Sequence, residues 1–169
     1  MAKRSDFQKI RDLPGVMNVV EVPVYKLTMF NAPDMTGVSA VWNHGLGFKQ
    51  GFKGEGMLIS IIDSGIDADH PDLSVVGGVR FFSEGGGPPW KRPVSHDGNF
   101  DDDNGHGTHC AGIAAAKGGI VGVAPGARLY AIKVLDSSGS AYMSVIVAGV
   151  DWLEDPAFKE LGIDVTIAN

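Results

Sequence analysis

Two separated segments of the sequence carry side chains that could act together on a proton. Asp63 closes an apolar run, and His106 is followed by Gly-Thr-His-Cys-Ala-Gly farther along the chain. A histidine takes a proton from a serine hydroxyl and returns it efficiently when a buried carboxylate orients its ring and stabilises the imidazolium. The two residues therefore predict the acid and the base of a catalytic triad whose third member is a serine.

The residues before Asp63 predict the element that positions it. Residues 57–62 are apolar apart from one serine, and the run ends in Asp63, Ser64 and Gly65, which is typical of a buried parallel strand that ends in a turn. Open α/β sheets hold their functional sites at the carboxyl ends of their strands. Asp63 is therefore expected at such an edge.

A helix is predicted to position His106. The polar residues 101–105 lead into the small residues 107–116, and Asp103 and Asn104 are expected to cap the first amides of that helix. The positive partial charge at a helix N-terminus favours the neutral form of a histidine, which is the form that accepts a proton.

The remaining pattern predicts an α/β fold built on a parallel sheet. Strands are predicted at 57–63, 78–82, 129–135 and 165–169, with helices after Gly107 and after Ser140. Apolar residues recur at helical spacing within 142–153, so Ile146 and Val150 are expected to face a core. Residues 35–42 predict a short surface helix, and residues 83–93 predict a flexible loop.

Composition excludes several classes of protein. Of 169 residues, 44% are hydrophobic and 20% are charged, which is globular rather than disordered. No apolar stretch reaches the roughly 20 residues that a membrane-spanning helix needs, so no membrane partner is expected. The net charge of -6 argues against nucleic acid as a partner. A single cysteine allows no internal disulfide and leaves the redox compartment open.

Three blocks of the sequence, in order, resemble the subtilisin-like serine proteases, or subtilases. The blocks are residues 61–67 with 70–73 behind them, residues 105–112 and residues 122–135. The resemblance implies a subtilisin-like α/β fold and serine-type endopeptidase activity, with Asp63 and His106 as triad members and His109 outside catalysis. Cys110 is similar to the buried cysteine beneath the catalytic histidine in the thermitase-like and proteinase K-like branches.

The family also has parts that this sequence does not show. After a strand similar to residues 164–169, the family continues into a substrate-pairing Ser-Leu-Gly segment, an oxyanion-hole asparagine and a Gly-Thr-Ser-Met-Ala helix that carries the nucleophile. Residues 31–169 are therefore expected to be the N-terminal half of a catalytic domain. That half is expected to be inactive alone, because loss of the nucleophile costs about 10⁶-fold in turnover. Its expected partner is the complementary C-terminal half, which would cover the open sheet.

The N-terminal residues predict a further strand. Residues 13–22 alternate apolar and polar positions after a Pro-Gly turn, and residues 1–30 resemble the tail of a subtilase propeptide. An ordinary N-terminal edge strand is the alternative. Residues 1–6 lead into no apolar signal core, so either secretion signals lie upstream or the protein stays inside the cell. The family resemblance implies secretion.

The resemblance implies a polypeptide substrate and a place for it. The substrate backbone would add as a strand to an edge formed by Gly139, Ser140 and Ala141. Three apolar residues would shape pockets beside that edge: Leu135, Met143 and Ile146. From the residues alone, periodicity assigns Ile146 to a core and assigns no pocket.

Oxygen ligands make calcium a candidate cofactor. Residues 101–104 could chelate Ca²⁺, which takes six to eight oxygens, and Asp72 resembles a calcium ligand of many bacterial subtilases. The longer asparagine-containing loop that supplies other ligands in the family is shortened here to residues 117–120. A solvated acidic loop is the alternative for residues 101–104.

Two other kinds of site are disfavoured. Zinc could be held by His106 and His109 with Asp103 or Asp63, but the spacing lacks the glutamate and the four-residue step of the helical zinc motif. Cys110, between small residues in a helix, predicts a core position rather than a nucleophile.

Three functions stay open at this stage. They are the N-terminal half of a subtilisin-like endopeptidase, a non-catalytic subtilase-like module that binds a peptide or its own propeptide, and a calcium-binding surface module. An intact acid and base in the right order favour the first, because a binding module needs neither.

Overall fold

The computed structural model describes residues 7–16, 19, 36–44, 52–85, 92–160 and 167–169. In chain order its elements are α1 (Phe7–Arg11), α2 (Val38–His44), β1 (Leu58–Asp63), β2 (Val75–Ser83), β3 (Val94–Asp97), α3 (His106–Ala115), β4 (Arg128–Lys133), α4 (Met143–Asp151), a 3₁₀ turn (Trp152–Glu154), α5 (Pro156–Glu160) and β5 (Ile167–Ala168). The four strands expected from the sequence are all present among them, with ends that differ by a few residues.

One five-stranded sheet organises the described residues, in the order β3-β2-β4-β1-β5. The pairs β1–β4, β1–β5 and β2–β4 are parallel, which confirms the predicted α/β class. The predicted parallel sheet also carries one antiparallel strand at its edge, because β3 pairs antiparallel with β2. β3 is only four residues long and contains Ser, His and Asp, so its sequence has no apolar pattern that would predict a strand.

The central strands are buried on both faces, and their successive residues alternate between the two. On one face, Ile59 and Ile61 of β1 join Leu129 of β4 beneath the small residues of α3. On the other face, Leu58 and Ile132 pack against residues of α4 and α5. Burial on both sides explains why β1 is a continuous apolar run rather than an alternating one.

The helix predicted within 142–153 is confirmed as α4 and the 3₁₀ turn after it. Val145 and Gly149 form its buried stripe, and a Cβ at Gly149 would lie 2.4 Å from a methyl carbon of Val134. Ile146 packs partly against this core as expected. The prediction for Val150 was wrong, since its side chain is 48% exposed.

The N-terminal strand predicted for residues 13–22 lies largely outside the described residues. Pro14 and Gly15 do form a turn after α1. The assignment of residues 1–30 to a propeptide tail stays a prediction. In the part of the chain that the structure describes, no helix has both the length and the apolar character required to cross a membrane.

Candidate active site

The structure brings Asp63 and His106 together at the carboxyl edge of the sheet. Asp63 is the last residue of β1, and His106 is the first residue of α3. Nδ1 of the ring lies 2.9 Å from Oδ1 and 2.8 Å from Oδ2 of the carboxylate. A carboxylate only accepts hydrogen bonds, so Nδ1 donates and Nε2 is left as the proton acceptor.

The residue after the acid fixes the carboxylate from the other side. The backbone N–H of Ser64 donates to Asp63 Oδ1 at 2.6 Å, and Ser64 is fully buried. The Ser64 hydroxyl accepts the backbone N–H of Gly107 at 2.9 Å. Ser64 therefore touches both the acid and the first turn of the helix that carries the base.

Asp102, which the sequence offered only as a possible calcium ligand, accepts hydrogen bonds from the first turn of that helix. It accepts the Thr108 N–H at 2.8 Å and the Gly105 N–H at 2.9 Å. The expected cap at Asp103 was wrong, because that carboxylate pairs with Lys133 instead. The expected cap at Asn104 is confirmed, since its Oδ1 accepts the His106 N–H at 3.3 Å. Gly105 takes the N-cap position with φ +97°, where a side chain would be strained.

Asp102 also joins the acid loop to the base helix. The Ser64 hydroxyl donates to its Oδ1 at 2.8 Å, and the Thr108 hydroxyl donates to its Oδ2 at 2.6 Å. Thr108 Oγ1 in turn accepts the N–H of Asp67 at 3.0 Å. One half-buried carboxylate thus ties the two segments that must meet for the acid to reach the base.

These contacts determine the charge state of Asp102. Burial alone would raise the pKa of Asp102, but hydrogen bonds from the Thr108 hydroxyl and from the amides of Gly105, Thr108 and Asn104 outweigh it and lower the pKa to about 2. The folded protein therefore binds this proton less readily than the unfolded chain does. The stabilisation is complete above the unfolded pKa of about 3.9 and is lost as the pH falls towards 2.

We expect Asp102→Asn to lower the free energy of unfolding at pH 6 by about 1–2 kcal/mol, a value reduced for partial solvent exposure. The deficit should shrink towards pH 2.5, because the carboxyl of the unfolded wild-type chain is then protonated and folding has to release that proton. Urea unfolding at pH 6 and at pH 2.5 measures the difference in free energy of unfolding between the variant and the original chain. Asp69→Asn is the control, since Asp69 is exposed. A deficit that is the same at both pH values would contradict the assignment.

Cys110 lies beneath the imidazole ring. Its Sγ is 3.5 Å from Nδ1 and 3.7 Å from Nε2 of His106. Burial, together with the negative charges of Asp63 and Asp102, raises the pKa of the Cys110 thiol to about 11. The group is a protonated packing residue at neutral pH, which agrees with the prediction that it is no nucleophile.

This pKa makes the thiol slow to react. Relative to the ordinary value of 9.0, a pKa of about 11 lowers the thiolate fraction at pH 8 by about 10²-fold, and burial slows access further. We expect a chromogenic disulfide to modify native Cys110 at least about 10²-fold more slowly than the same chain in urea. Because the chain has one cysteine, the unfolded protein is its own control. Native and unfolded rates within a few-fold would refute the assignment.

Among the described residues, one group of three side chains could meet around a metal ion: Asp63, His106 and Cys110. His109 and Asp103, named with His106 in the zinc interpretation, are both outside this group. Zinc would have to remove the thiol proton and break the Nδ1–carboxylate hydrogen bond. The cluster is therefore better described as an acid–base pair with a packing thiol below it.

In the structure the Asp72 carboxylate accepts hydrogen bonds from backbone amides. Its Oδ2 accepts the Ile120 N–H at 3.1 Å, and its backbone C=O accepts the Lys117 N–H at 2.9 Å. Hydrogen bonds from the amides of Ile120 and Gly119 lower the pKa of Asp72. Amide hydrogens thus face the carboxylate where a cation would need further oxygens. Calcium binding at Asp72 stays a prediction.

The residues expected to line a substrate edge form a closed turn. Asp136 Oδ1 accepts the Ser140 N–H at 3.1 Å, and the Asp136 N–H donates to Ser140 O at 2.9 Å. Asn104 Nδ2 donates to Ser137 O at 3.0 Å, which links this turn to the start of α3. Of the three expected pocket residues, Leu135 and Ile146 pack partly against the core between the sheet and helices α4 and α5. The third, Met143, is 40% exposed.

Comparison with known proteins identifies the class to which this site belongs. Residues 54–168 match the family described as the Subtilase family. That segment is more than half of the chain, and the chain belongs to this family of subtilisin-like serine proteases. The resemblance read from the three sequence blocks is thereby confirmed.

Individual relatives give the degree of similarity. The chain is 49% identical over 106 residues to Subtilisin DY of Bacillus licheniformis, covering 61% of this chain and 34% of the relative. It is 44% identical over 106 residues to Subtilisin E of Bacillus subtilis (strain 168), covering 61% and 25%. A solved cold adapted subtilisin-like serine proteinase is 31% identical, with a TM-score of 0.47 over 60% of this chain and 33% of that one. The chain thus spans between a quarter and a third of these relatives.

Proposed function

We propose that Asp63 and His106 are the acid and the base of a serine-type endopeptidase site. One observation carries the proposal: His106 Nδ1 lies within 2.9 Å of both carboxylate oxygens of Asp63. The bound carboxylate holds the ring in the tautomer whose Nε2 accepts a proton, and it stabilises the imidazolium that results. A packing histidine would need no buried carboxylate aimed at the ring.

In this mechanism His106 Nε2 takes the proton of a serine hydroxyl as that oxygen attacks a peptide carbonyl. The proton then passes from Nε2 to the leaving amine, and a water repeats the cycle on the acyl-enzyme. The 169 residues contain no Gly-Thr-Ser-Met-Ala segment. This polypeptide is therefore inactive by itself, and a subtilase C-terminal half is the partner that supplies the serine and the oxyanion-hole asparagine.

The substrate backbone binds at the turn of residues 136–141. Ser140 directs both its N–H and its C=O at Asp136, and the Gly139 N–H donates to the Asp136 carbonyl at 2.9 Å, so the Gly139 C=O and the backbone groups of Ala141 are the ones offered to substrate. Those groups pair with an extended polypeptide. Three side chains beside the turn contact substrate side chains: Leu135, Met143 and Ile146.

The test is reconstitution from two polypeptides. The 169-residue chain is mixed with a separately made subtilase C-terminal half that carries the Gly-Thr-Ser-Met-Ala segment, and hydrolysis of a chromogenic peptide and labelling by a fluorophosphonate are measured. We expect both signals in the mixture and neither in the separate pieces. Hydrolysis by the 169-residue chain alone would contradict its inactivity. A complex that forms without hydrolysis, while the chain alone binds the peptide, would favour the non-catalytic binding module.

A further inference from the structure

A buried lysine stands beside the acid–base pair with no part in the chemistry described so far. Lys133 is the last residue of β4, and its Cα pairs in register with that of Asp63 on β1. Register partners on adjacent strands project to the same face of a sheet. The residue is only 4% exposed, which is rare for a lysine.

The Lys133 ammonium joins the two segments that carry the acid and the base. Nζ donates to the backbone carbonyl of Ser64, the residue after the acid, and to Asp103 Oδ1 at 2.5 Å. Asp103 belongs to the loop that leads into α3, three residues before the base. One cation therefore bridges the exit of β1 and the entrance of α3.

Ser64 transmits this contact to the acid. Its carbonyl accepts from Lys133, its N–H donates to Asp63 Oδ1 at 2.6 Å, and its hydroxyl accepts the Gly107 N–H at 2.9 Å. The Lys133 contact holds the peptide after Ser64, while the N–H and the hydroxyl of the same residue hold the acid and the first turn of α3. Lys133 thus fixes the orientation of the residue on which the carboxylate rests.

A lysine in this position is costly, because burial removes the hydration of the ammonium. An apolar side chain of similar length would fill the same space between the strands without that cost. What a methionine could not supply is a pair of hydrogen bonds to two different loops. The presence of a charged residue at position 133 is therefore explained by its hydrogen bonds to the two loops and not by packing.

We propose that Lys133 is a positioning residue. Through its contacts with Ser64 and Asp103 it holds Asp63 and His106 within hydrogen-bonding distance of each other. This inference rests on the proposed function of the pair. Its readout is the hydrogen bond itself, observed in the 169-residue chain, so it does not depend on hydrolysis. Failure to reconstitute a protease would overturn the proposed function and leave this readout unaffected.

The experiment is proton NMR of the proton that lies between His106 Nδ1 and the Asp63 carboxylate, which gives a deshielded resonance. The resonance is assigned by its absence in His106→Gln. We expect Lys133→Met to abolish the resonance by opening the site to exchange with water. Asp103→Asn, which keeps the lysine and its Ser64 contact, should move it upfield without removing it. Lys159→Met is the matched control, because Lys159 lies in an exposed ion pair with Glu154, and it should leave the resonance unchanged.

Circular dichroism and urea unfolding establish which variants are folded. If Lys133→Met is folded, an unchanged resonance in that variant overturns the proposal. If Lys133→Met does not fold, Asp103→Asn decides, because its side chain is 57% exposed and its loss does not disturb the core. An unchanged resonance in Asp103→Asn would then overturn it.

Discussion

In a reconstituted protease we expect His106→Ala to lower kcat by about 10⁶-fold and Asp63→Ala to lower it by about 3 × 10⁴-fold, the losses found on removing the triad histidine and aspartate of subtilisin. The histidine loss is the larger because its imidazole transfers the proton in both halves of the reaction. The aspartate orients that ring and stabilises its charge, and a misoriented ring keeps part of its function. Peptide hydrolysis measured at saturating C-terminal half gives both values.

His109 provides the matched control for these variants. It lies in the same helix three residues after His106, and its side chain is exposed. We expect His109→Ala to retain kcat within a few-fold of the unmodified mixture. A loss for His109→Ala comparable to that for His106→Ala would show that the assay reports helix integrity rather than proton transfer.

Binding of the C-terminal half has to be separated from catalysis in this experiment. The short strand β5 pairs with β1 on one side, and Ile167 is 54% exposed. Among the described residues β5 is the last strand of the sheet, whereas His106 contacts only the carboxyl end of β1 at Asp63, so its substitution should leave association of the halves intact. Sedimentation of each mixture checks that equal amounts of complex are compared.

The sequence was informative wherever one residue pattern determines one local structure. The apolar run of β1 ending in Asp63 predicts a buried strand, and the polar loop before His106 predicts a helix start. Parallel strands bring their carboxyl ends to one edge, so the acid and the base were expected there. The structure adds the contact itself, with both carboxylate oxygens within 2.9 Å of the ring nitrogen.

What the sequence could not predict depends on partners that are distant along the chain. Asp101, Asp102 and Asp103 are indistinguishable by composition, yet Asp102 meets Ser64 across the site and Asp103 meets Lys133. The strand β3 is too short and polar to be predicted alone, and it exists because β2 offers it a partner. Tertiary contacts of this kind override local propensity.

These missed contacts have one function in common. Asp102 and Lys133 both join the loop after β1 to the loop before α3, one through side-chain and amide hydrogen bonds and the other through a buried charge. The acid–base distance is therefore set by a network around the pair as well as by the strands and the helix. The contact between Asp63 and His106 therefore requires the two loops to lie close together.

The first turn of α3 comes close to the loop after β1 at Gly107, and filling that space should have a large effect. A Cβ at Gly107 would lie 2.0 Å from the carbonyl oxygen of Gly65, a distance at which the backbone must move. We expect Gly107→Ala to lower the free energy of unfolding by about 2–4 kcal/mol, at or above the usual cost of overpacking, because no flexible side chain can yield. It should also abolish the resonance of the proton shared by Asp63 and His106. Urea unfolding and proton NMR measure the two effects.

Gly112 in the same helix is the control, because a Cβ there meets no atom within 4 Å outside its own helix backbone and sequence neighbours. Gly112→Ala should stabilise the protein by about 0.5–1 kcal/mol, since alanine is the better helix former. The two substitutions are chemically identical and lie in one helix, so opposite signs isolate the approach of Gly107 to Gly65. A Gly107→Ala variant as stable as the original chain, with the shared proton unchanged, would show that the loops do not need this contact to place the acid against the base.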